Sequence, residues 1–134
     1  MSIFLDTGFL FSLYAENDVN HEKAVKKMKE IESGAFGHIF ISDYVFDETI
    51  TLLRSRLNEK KAIEVGEAIF NSEIEIIFMF KELFESAWQL FIKRNKLSFT
   101  DCSIVETMKS NGIKYLASFD KEFNQFKKEI MIVN

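Results

Sequence analysis

Five short apolar runs, rich in β-branched and aromatic residues, constrain the fold of this chain more than any other feature. Each run is nearly continuous in apolar character, which is typical of parallel strands that are buried on both faces. Longer segments with helical periodicity lie between the runs. Strands that alternate with helices predict an α/β layered fold with a largely parallel sheet. The predicted strands are Ile3–Leu5, His38–Ile41, Ile74–Met79, Tyr115–Ala117 and Ile130–Val133.

No segment of the chain has the composition of a linker. The sequence has no proline and only five glycines in 134 residues, and these two residue types are the ones that most often separate structural units. We therefore predict a single domain over residues 1–134. The predicted helices are Glu22–Ile31, Tyr44–Leu57, Lys60–Phe70, Lys81–Ile92 and Asp101–Met108, with a shorter helical segment after Asp120.

Composition and charge exclude several classes of protein. A hydrophobic content of 47% excludes a disordered chain, and no apolar stretch approaches the ~20 residues of a membrane helix. The single cysteine, Cys102, excludes an internal disulfide and a cysteine-rich zinc site. The net charge of −4 argues against nucleic-acid binding over the whole surface, although it leaves a local basic rim open. These features predict a cytoplasmic protein with no membrane association.

Two acidic residues occupy the apolar faces of predicted helices. In the helix that follows the second strand, Glu48 shares a face with Val45 and Leu52, whereas Asp47 points to the opposite, polar side. Asp101 begins the apolar stripe of a later helix. Because burial of an unpaired carboxylate costs several kcal/mol, each of these acids is expected to have a partner, a metal ion or a raised pKa.

Two further acids directly follow predicted strands. Asp6 follows the first strand and Asp120 follows the fourth. Ligands of open α/β sheets bind at the carboxyl ends of the strands, and the helix N-termini lie along that same edge. Since Glu48 and Asp101 fall in the first two turns of their helices, all four acids are expected to converge on one edge of the sheet.

A cluster of four carboxylates needs a positive counter-charge, because the acids would otherwise repel each other. Ligands that are all oxygen favour Mg²⁺ or Mn²⁺ over Zn²⁺. Such a site has the chemistry to activate water for phosphodiester hydrolysis. Thr7 and Ser118 lie next to these acids in sequence and are candidate auxiliary polar groups.

Each acid also has a purely structural interpretation. Asp6 and Asp120 suit caps at turns or short helices, and Asp101 forms a potential capping box with Ser98. Glu48 suits an ion pair with a buried Arg or Lys. The functional interpretation depends on all four acids meeting in space.

A basic cluster, Lys93, Arg94 and Lys96, precedes Asp101 and is a candidate RNA-binding site. A solvated helix end, stabilised by the macrodipole, is an equally good interpretation of these residues. Cys102 is interpreted as a small, buried packing residue, since no histidine lies near it in sequence.

Four segments that contain the acids resemble the motifs of PIN-domain nucleases, which include the VapC-type ribonuclease toxins. The segments are FLDTGFLFSLY, ISDYVFDETITLL, LSFTDCSIVETM and LASFDKEF, and they occur in the family's order. The resemblance implies a three-layer α/β/α sandwich around a central, mostly parallel sheet of about four to five strands. It also implies that Asp6, Glu48, Asp101 and Asp120 form the metal-binding and catalytic quartet, with Ser118 at an auxiliary hydroxyl position. Gly8 departs from the family pattern, because an Asn or Ser is frequent there.

The function predicted on this basis is a Mg²⁺- or Mn²⁺-dependent endoribonuclease, the toxin of a VapBC-type toxin–antitoxin pair. Similar proteins cleave single-stranded RNA and commonly form homodimers, and a small antitoxin is expected to mask the acidic edge. Two alternatives stay open: a catalytically silent or RNA-processing PIN scaffold, and a Mg²⁺-binding receiver-like regulatory domain. The receiver-like alternative is weaker because Thr7, and not a second acid, follows Asp6.

Overall fold

The computed structural model describes all residues, 1–134, and contains a five-stranded, fully parallel sheet. Helices flank this sheet on both faces, so the predicted three-layer α/β/α architecture is confirmed. The strands are β1 (Ser2–Leu5), β2 (His38–Ser42), β3 (Glu75–Ile77), β4 (Tyr115–Ala117) and β5 (Met131–Val133). The helices are α1 (Thr7–Tyr14), α2 (His21–Glu32), α3 (Asp43–Arg56), α4 (Glu59–Phe70), α5 (Lys81–Lys93) and α6 (Phe99–Asn111), with a 3₁₀ helix at Lys121–Phe126.

The strand order, β3-β2-β1-β4-β5, places β1 at the centre of the sheet. Phe4 of β1 is in register with Phe40 of β2 on one side and with Leu116 of β4 on the other. The chain winds outward from β1 to β3 and then returns to β4, so a topological switch point lies between β1 and β4. Ligands of such sheets bind outside the carboxyl ends of the strands at this point.

The central strand has almost no contact with solvent. Ile3, Phe4 and Leu5 are fully buried, which explains why β1 is continuously apolar instead of alternating. Leu116 and Ala117 of β4 are equally buried. Because both strands are fixed in the core, the residues that follow them occupy well-defined positions at the switch point.

Local hydrogen bonds move several element boundaries away from their predicted positions. The third strand is shorter than Ile74–Met79, because the Met79 amide donates to the side chain of Asp43 (3.1 Å) instead of joining the sheet. Asp43 is half-buried in this contact. The fifth strand begins one residue late, since the Ile130 amide bonds to the Phe126 carbonyl (2.8 Å).

None of the helices combines the length and apolar character needed to cross a bilayer.

Candidate active site

The four predicted acids line a single cleft at the carboxyl edge of the sheet, with a volume of about 450 Å³. Asp6 directly follows β1, and Asp120 lies three residues after the end of β4. Glu48 comes from the second turn of α3, and Asp101 comes from the first turn of α6. The structure thus brings together four residues that are spread over 115 positions of the sequence.

Asp6 is the most buried of these acids, with 4% of its surface exposed. One carboxylate oxygen, Oδ1, accepts a hydrogen bond from the Phe9 amide (2.7 Å), and the other accepts one from the Ser118 hydroxyl. Burial raises the pKa of Asp6 to about 7, against the lowering effect of these two hydrogen bonds. The negative charges of Asp101 and Asp120 raise it further. The protein therefore holds a carboxylate that lacks a compensating positive charge.

Asp101 both caps a helix and lines the cleft. Its Oδ2 accepts from the Ser98 amide (3.1 Å), while the Ser98 hydroxyl accepts from the Asp101 amide (3.0 Å). This reciprocal pair is the capping box that the sequence allows. Burial raises the pKa of Asp101, the hydrogen bonds from Ser98 oppose that rise, and the charges of Asp120 and Glu48 add to it.

Glu48 is half-buried, whereas its neighbour Asp47 is exposed, as the helical period predicts. Its Oε2 accepts a hydrogen bond from the Thr100 hydroxyl (3.1 Å), which links α3 to α6. The three ion pairs of the structure do not include Glu48. The alternative interpretation, an acid paired with a buried Arg or Lys, is therefore wrong for this residue.

Asp120 is the most exposed member of the quartet. Its Oδ1 accepts from the Glu122 amide (2.9 Å) and so caps the 3₁₀ helix. The Asp120 amide in turn donates to the Ser118 hydroxyl (3.0 Å). Ser118 is fully buried and joins two acids of the cleft, because it donates to Asp6 and accepts from Asp120.

Thr7 is buried beside Asp6, and its hydroxyl makes no hydrogen bond within the protein. Because Thr7 also lines the cleft, this hydroxyl is available to hydrogen-bond to a group bound there. Gly8 also lines the cleft, and a Cβ at this position would lie 3.7 Å from Asp6 Oδ1, an ordinary contact. The missing side chain at Gly8 therefore leaves open space beside the carboxylate.

The composition of the site fits a hard divalent cation. The candidate ligands are all oxygen atoms, the acids have no Lys or Arg in ion-pair contact, and the hydroxyl of Thr7 is unpartnered. As placed, no three of the carboxylates are close enough to hold one ion together, so an ion there requires a change of side-chain rotamer. Asp101 Oδ1 and Asp120 Oδ2 are available for this, because neither oxygen is hydrogen-bonded within the protein.

The basic cluster lies outside the cleft. Lys93 ends α5, Arg94 caps it, and Lys96 follows in the loop with a φ of 67°; all three are exposed. The Arg94 guanidinium lies over the ring of Phe126, 5.1 Å from the centroid. None of the three lines the cleft, although Ser98, two residues beyond Lys96, does.

Cys102 is fully buried, which confirms its predicted packing role. Burial raises the pKa of its thiol to about 11, so the reactive thiolate is suppressed.

Part of the cleft wall is formed by residues that are not among those predicted from the sequence. A carboxylate, Asp18, lies in the α1–α2 connection, where it accepts from the Ser12 hydroxyl (2.7 Å) and the Asn20 amide (3.0 Å). No periodicity marks this loop, so the sequence gives no signal for it. Arg56 also lines the cleft, and it stands eight residues after Glu48 on the same helix. That spacing puts both residues on one face of the helix, so helical periodicity could have predicted that Arg56 lies near the site.

The chain is similar to several known proteins in sequence and in structure. The family model for the PIN domain matches residues 3–129. A VapC ribonuclease of Archaeoglobus fulgidus is 30% identical over 130 residues, which cover 92% of this chain and 80% of that protein. The 23S rRNA-specific endonuclease VapC20 of Mycobacterium tuberculosis is 26% identical, over 91% of this chain and 92% of its own length. The crystal structure of VapC20, a sarcin–ricin loop cleaving toxin, superposes with a TM-score of 0.82 at 25% identity and covers 92% of this chain and 94% of that one.

Proposed function

The chain belongs to the PIN-domain family, and on this basis we propose that it is a metal-dependent endoribonuclease. The proposed enzyme consists of one domain, residues 1–134. The observation that carries the proposal is the convergence of Asp6, Glu48, Asp101 and Asp120 on one cleft at the switch point of the sheet. An acidic cleft with no basic partner in ion-pair contact is a poor site for an anionic substrate on its own. A divalent cation bound by the acids would supply the positive charge that an anionic substrate needs.

In this proposal, Asp6, Asp101 and Asp120 hold Mg²⁺ or Mn²⁺ directly, and Glu48 binds it directly or through water. The ion, when bound, lowers the pKa of water and stabilises the negative charge that develops on the phosphate. Glu48 is the candidate base that accepts the proton of the attacking water, since its Oε2 has only one hydrogen bond, from Thr100.

The remaining polar residues orient the acids. The Ser118 hydroxyl donates a hydrogen bond to Asp6 and accepts one from the Asp120 amide. It therefore links two of the proposed ligands and restricts the side-chain conformation of Asp6. The unpartnered hydroxyl of Thr7 is available to a water or a phosphate oxygen. These two residues are auxiliary polar groups, because they act on the geometry of the site and carry no charge.

The proposed substrate is RNA, and the proposed cellular role is that of the toxin in a VapBC-type pair. The relatives named VapC ribonuclease and 23S rRNA-specific endonuclease support both parts. The sarcin–ricin loop, the target in the name of the structural neighbour, is the first RNA to test. Lys93, Arg94 and Lys96 are proposed to contact the RNA backbone outside the cleft. A reducing cytoplasm, where such RNA is found, suits a chain whose one cysteine is a free thiol.

A small antitoxin and a second copy of the chain are the proposed protein partners. The outer face of α5 supports the homodimer, because Phe84, Trp88 and Ile92 are 46%, 49% and 61% exposed at four-residue spacing. Contiguous exposed apolar side chains of this kind mark protein interfaces. The antitoxin is proposed to cover the acidic cleft and to supply the positive charge that the acids lack.

Cleavage of an end-labelled hairpin RNA that carries the sarcin–ricin loop, with purified protein and Mg²⁺ or Mn²⁺, tests this function. We expect discrete cleavage products that disappear with a chelator and fall at least about a hundredfold in Asp101→Asn. Asparagine retains an oxygen for the capping box, so the variant should fold, which circular dichroism checks. Glu106→Gln is the matched control, since Glu106 lies on the same helix but outside the cleft.

Cleavage that survives the chelator or Asp101→Asn would contradict the proposed mechanism. An equal loss in Asp101→Asn and Glu106→Gln would contradict the assignment of the site.

A further inference from the structure

One helix presents a continuous strip of side chains to the cleft. Glu48, Leu52 and Arg56 are spaced four residues apart on α3, and all three line the same cavity. Eight residues of α-helix correspond to about 12 Å along the axis. The backbone of Arg56 therefore lies about 12 Å along α3 from that of Glu48, the acid that this helix contributes to the quartet.

Arg56 is the one cationic side chain among the residues that line this cleft. Five carboxylates line it as well, namely those of Asp6, Asp18, Glu48, Asp101 and Asp120. Yet none of the three ion pairs of the structure involves Arg56. Its charge is thus not used to neutralise an acid of the site.

An aromatic ring holds the guanidinium in place. The Cζ atom of Arg56 lies 5.5 Å from the centroid of the Phe11 ring, and Phe11 packs partly buried against the core. A guanidinium that rests on a ring keeps its N–H groups free at the edge, where they suit the paired oxygens of a phosphate. Arg54, two residues earlier, is different, because it is bonded to Glu59 (3.1 Å) away from the cleft.

We propose that Arg56, supported by Phe11, binds a backbone phosphate of the RNA strand that runs through the cleft. This inference rests on the proposed ribonuclease function. A separation of about 12 Å places the contact within a few nucleotides of the acidic centre. Arg56 is an RNA-binding residue in this proposal and takes no part in proton transfer.

A structural role for Arg56 gives different expectations. Basic residues in the last turn of a helix interact favourably with the macrodipole, and both Arg54 and Arg56 lie in the last turn of α3. Loss of that interaction would affect folding and would be similar for the two residues. Loss of a phosphate contact would affect RNA affinity and its salt dependence, and it would be specific to Arg56.

The test measures binding of a labelled, mixed-sequence, 12-nucleotide single-stranded RNA by fluorescence anisotropy with Mg²⁺ at several KCl concentrations. All proteins carry Asp101→Asn, so that the RNA stays intact. Because backbone binding does not depend on sequence, the probe needs no known target. Arg56→Gln and Arg54→Gln are compared, since each removes one positive charge from the same helix, and Arg56→Lys retains the charge without the planar fork.

We expect Arg56→Gln to weaken binding about fivefold to tenfold and to reduce the slope of log affinity against log salt by about 0.7, the value for one phosphate of a single strand. Arg54→Gln should stay within about twofold of the parent. Arg56→Lys should retain the slope with an intermediate affinity, and all melting temperatures should be similar.

Equal effects of Arg56→Gln and Arg54→Gln, or an unchanged salt slope in Arg56→Gln, would overturn this inference and leave the proposed function standing. If the wild-type protein with Mg²⁺ neither bound nor cleaved this RNA at the lowest salt concentration, the proposed function would fail, and the role of Arg56 would fail with it.

Discussion

Replacement of Asp6 by asparagine should stabilise the metal-free protein at alkaline pH, although Asp6 is the central acid of the proposed site. The side chain is buried, and its pKa is raised from 3.8 to about 7, chiefly by that burial. An acid with a higher pKa in the folded state holds its proton more tightly there than in the unfolded chain. Stability is therefore lost as the pH rises from about 4 to about 7, and the loss is complete above pH 7.

The size of this effect follows from the pKa change. A shift of roughly three units at 1.36 kcal/mol per unit gives about 4 kcal/mol of destabilisation at pH 8. Asparagine removes the charge, and its oxygen still accepts from the Phe9 amide, but its NH₂ group must donate to Ser118, whose own O–H then loses its acceptor. The free energy of unfolding of Asp6→Asn should thus exceed that of the wild type by up to about 4 kcal/mol at pH 8. The difference should shrink by about 1.4 kcal/mol per pH unit below pH 7.

A divalent ion should act in the opposite direction. If Asp6 is a ligand, Mg²⁺ or Mn²⁺ stabilises the wild type by about 2.7 kcal/mol at a hundred times its Kd and has little effect on Asp6→Asn. The advantage of the variant in free energy of unfolding at pH 8 should therefore narrow to roughly 1 kcal/mol or less when metal is added.

Urea unfolding at pH 5 and pH 8, with a chelator or with Mn²⁺, measures all of these quantities. Asp47→Asn is the matched control, because Asp47 is exposed and the same chemical change there should alter stability by no more than about 0.5 kcal/mol. A variant less stable than the wild type at pH 8, or a difference that does not change with pH, would refute the argument from burial. An equal response of wild type and Asp6→Asn to Mn²⁺ would remove Asp6 from the ligand set.

Two further predictions concern α3 and α5. Glu48→Gln should reduce the rate of RNA cleavage at least about a hundredfold. Asp47→Asn, on the exposed side of the same helix, should stay within about twofold of the wild-type rate. Equal rates in the two variants would contradict the role of Glu48. Trp88→Glu should reduce the mass in solution from that of two chains to that of one, because a charge replaces a half-exposed apolar ring on the proposed dimer face. Light scattering measures this, and an unchanged dimer would place the interface elsewhere.

The sequence predicts the sheet well, because its strands are short and mostly apolar and the central ones, β1 and β4, are buried on both faces. The strand Tyr115–Ala117 is predicted to the residue, and its neighbours differ mainly at their ends. The ends are set by individual hydrogen bonds, such as that from the Met79 amide to Asp43, which joins residues 36 positions apart. A pattern of local polarity contains no information about such a contact.

The four acids of the site can be predicted from the sequence, whereas much of the rest of the cleft wall cannot. Glu48 and Asp101 stand out because they break an apolar periodicity, and Asp6 and Asp120 stand out because they follow strands. Arg56 was overlooked, although its spacing from Glu48 places it on the same face, because an arginine at a helix end has an ordinary explanation in the macrodipole. Only the structure adds the second fact, that the side chain rests on a ring inside the cleft.

Capping and metal binding, which the sequence presents as rival roles for the acids, are compatible in this fold. A carboxylate has two oxygens, and a cap needs only one of them. In Asp101 and Asp120 one oxygen accepts an amide at a helix N-terminus, and the other makes no hydrogen bond within the protein. Because helices that connect parallel strands begin at the carboxyl edge of the sheet, caps there necessarily lie around the switch point. The cap holds one oxygen and leaves the other free to turn toward the cleft. Because Ser98→Ala keeps the backbone amide that donates to Asp101 Oδ2, this variant should lower the melting temperature through the lost Ser98 hydroxyl and leave the metal response of the protein largely intact.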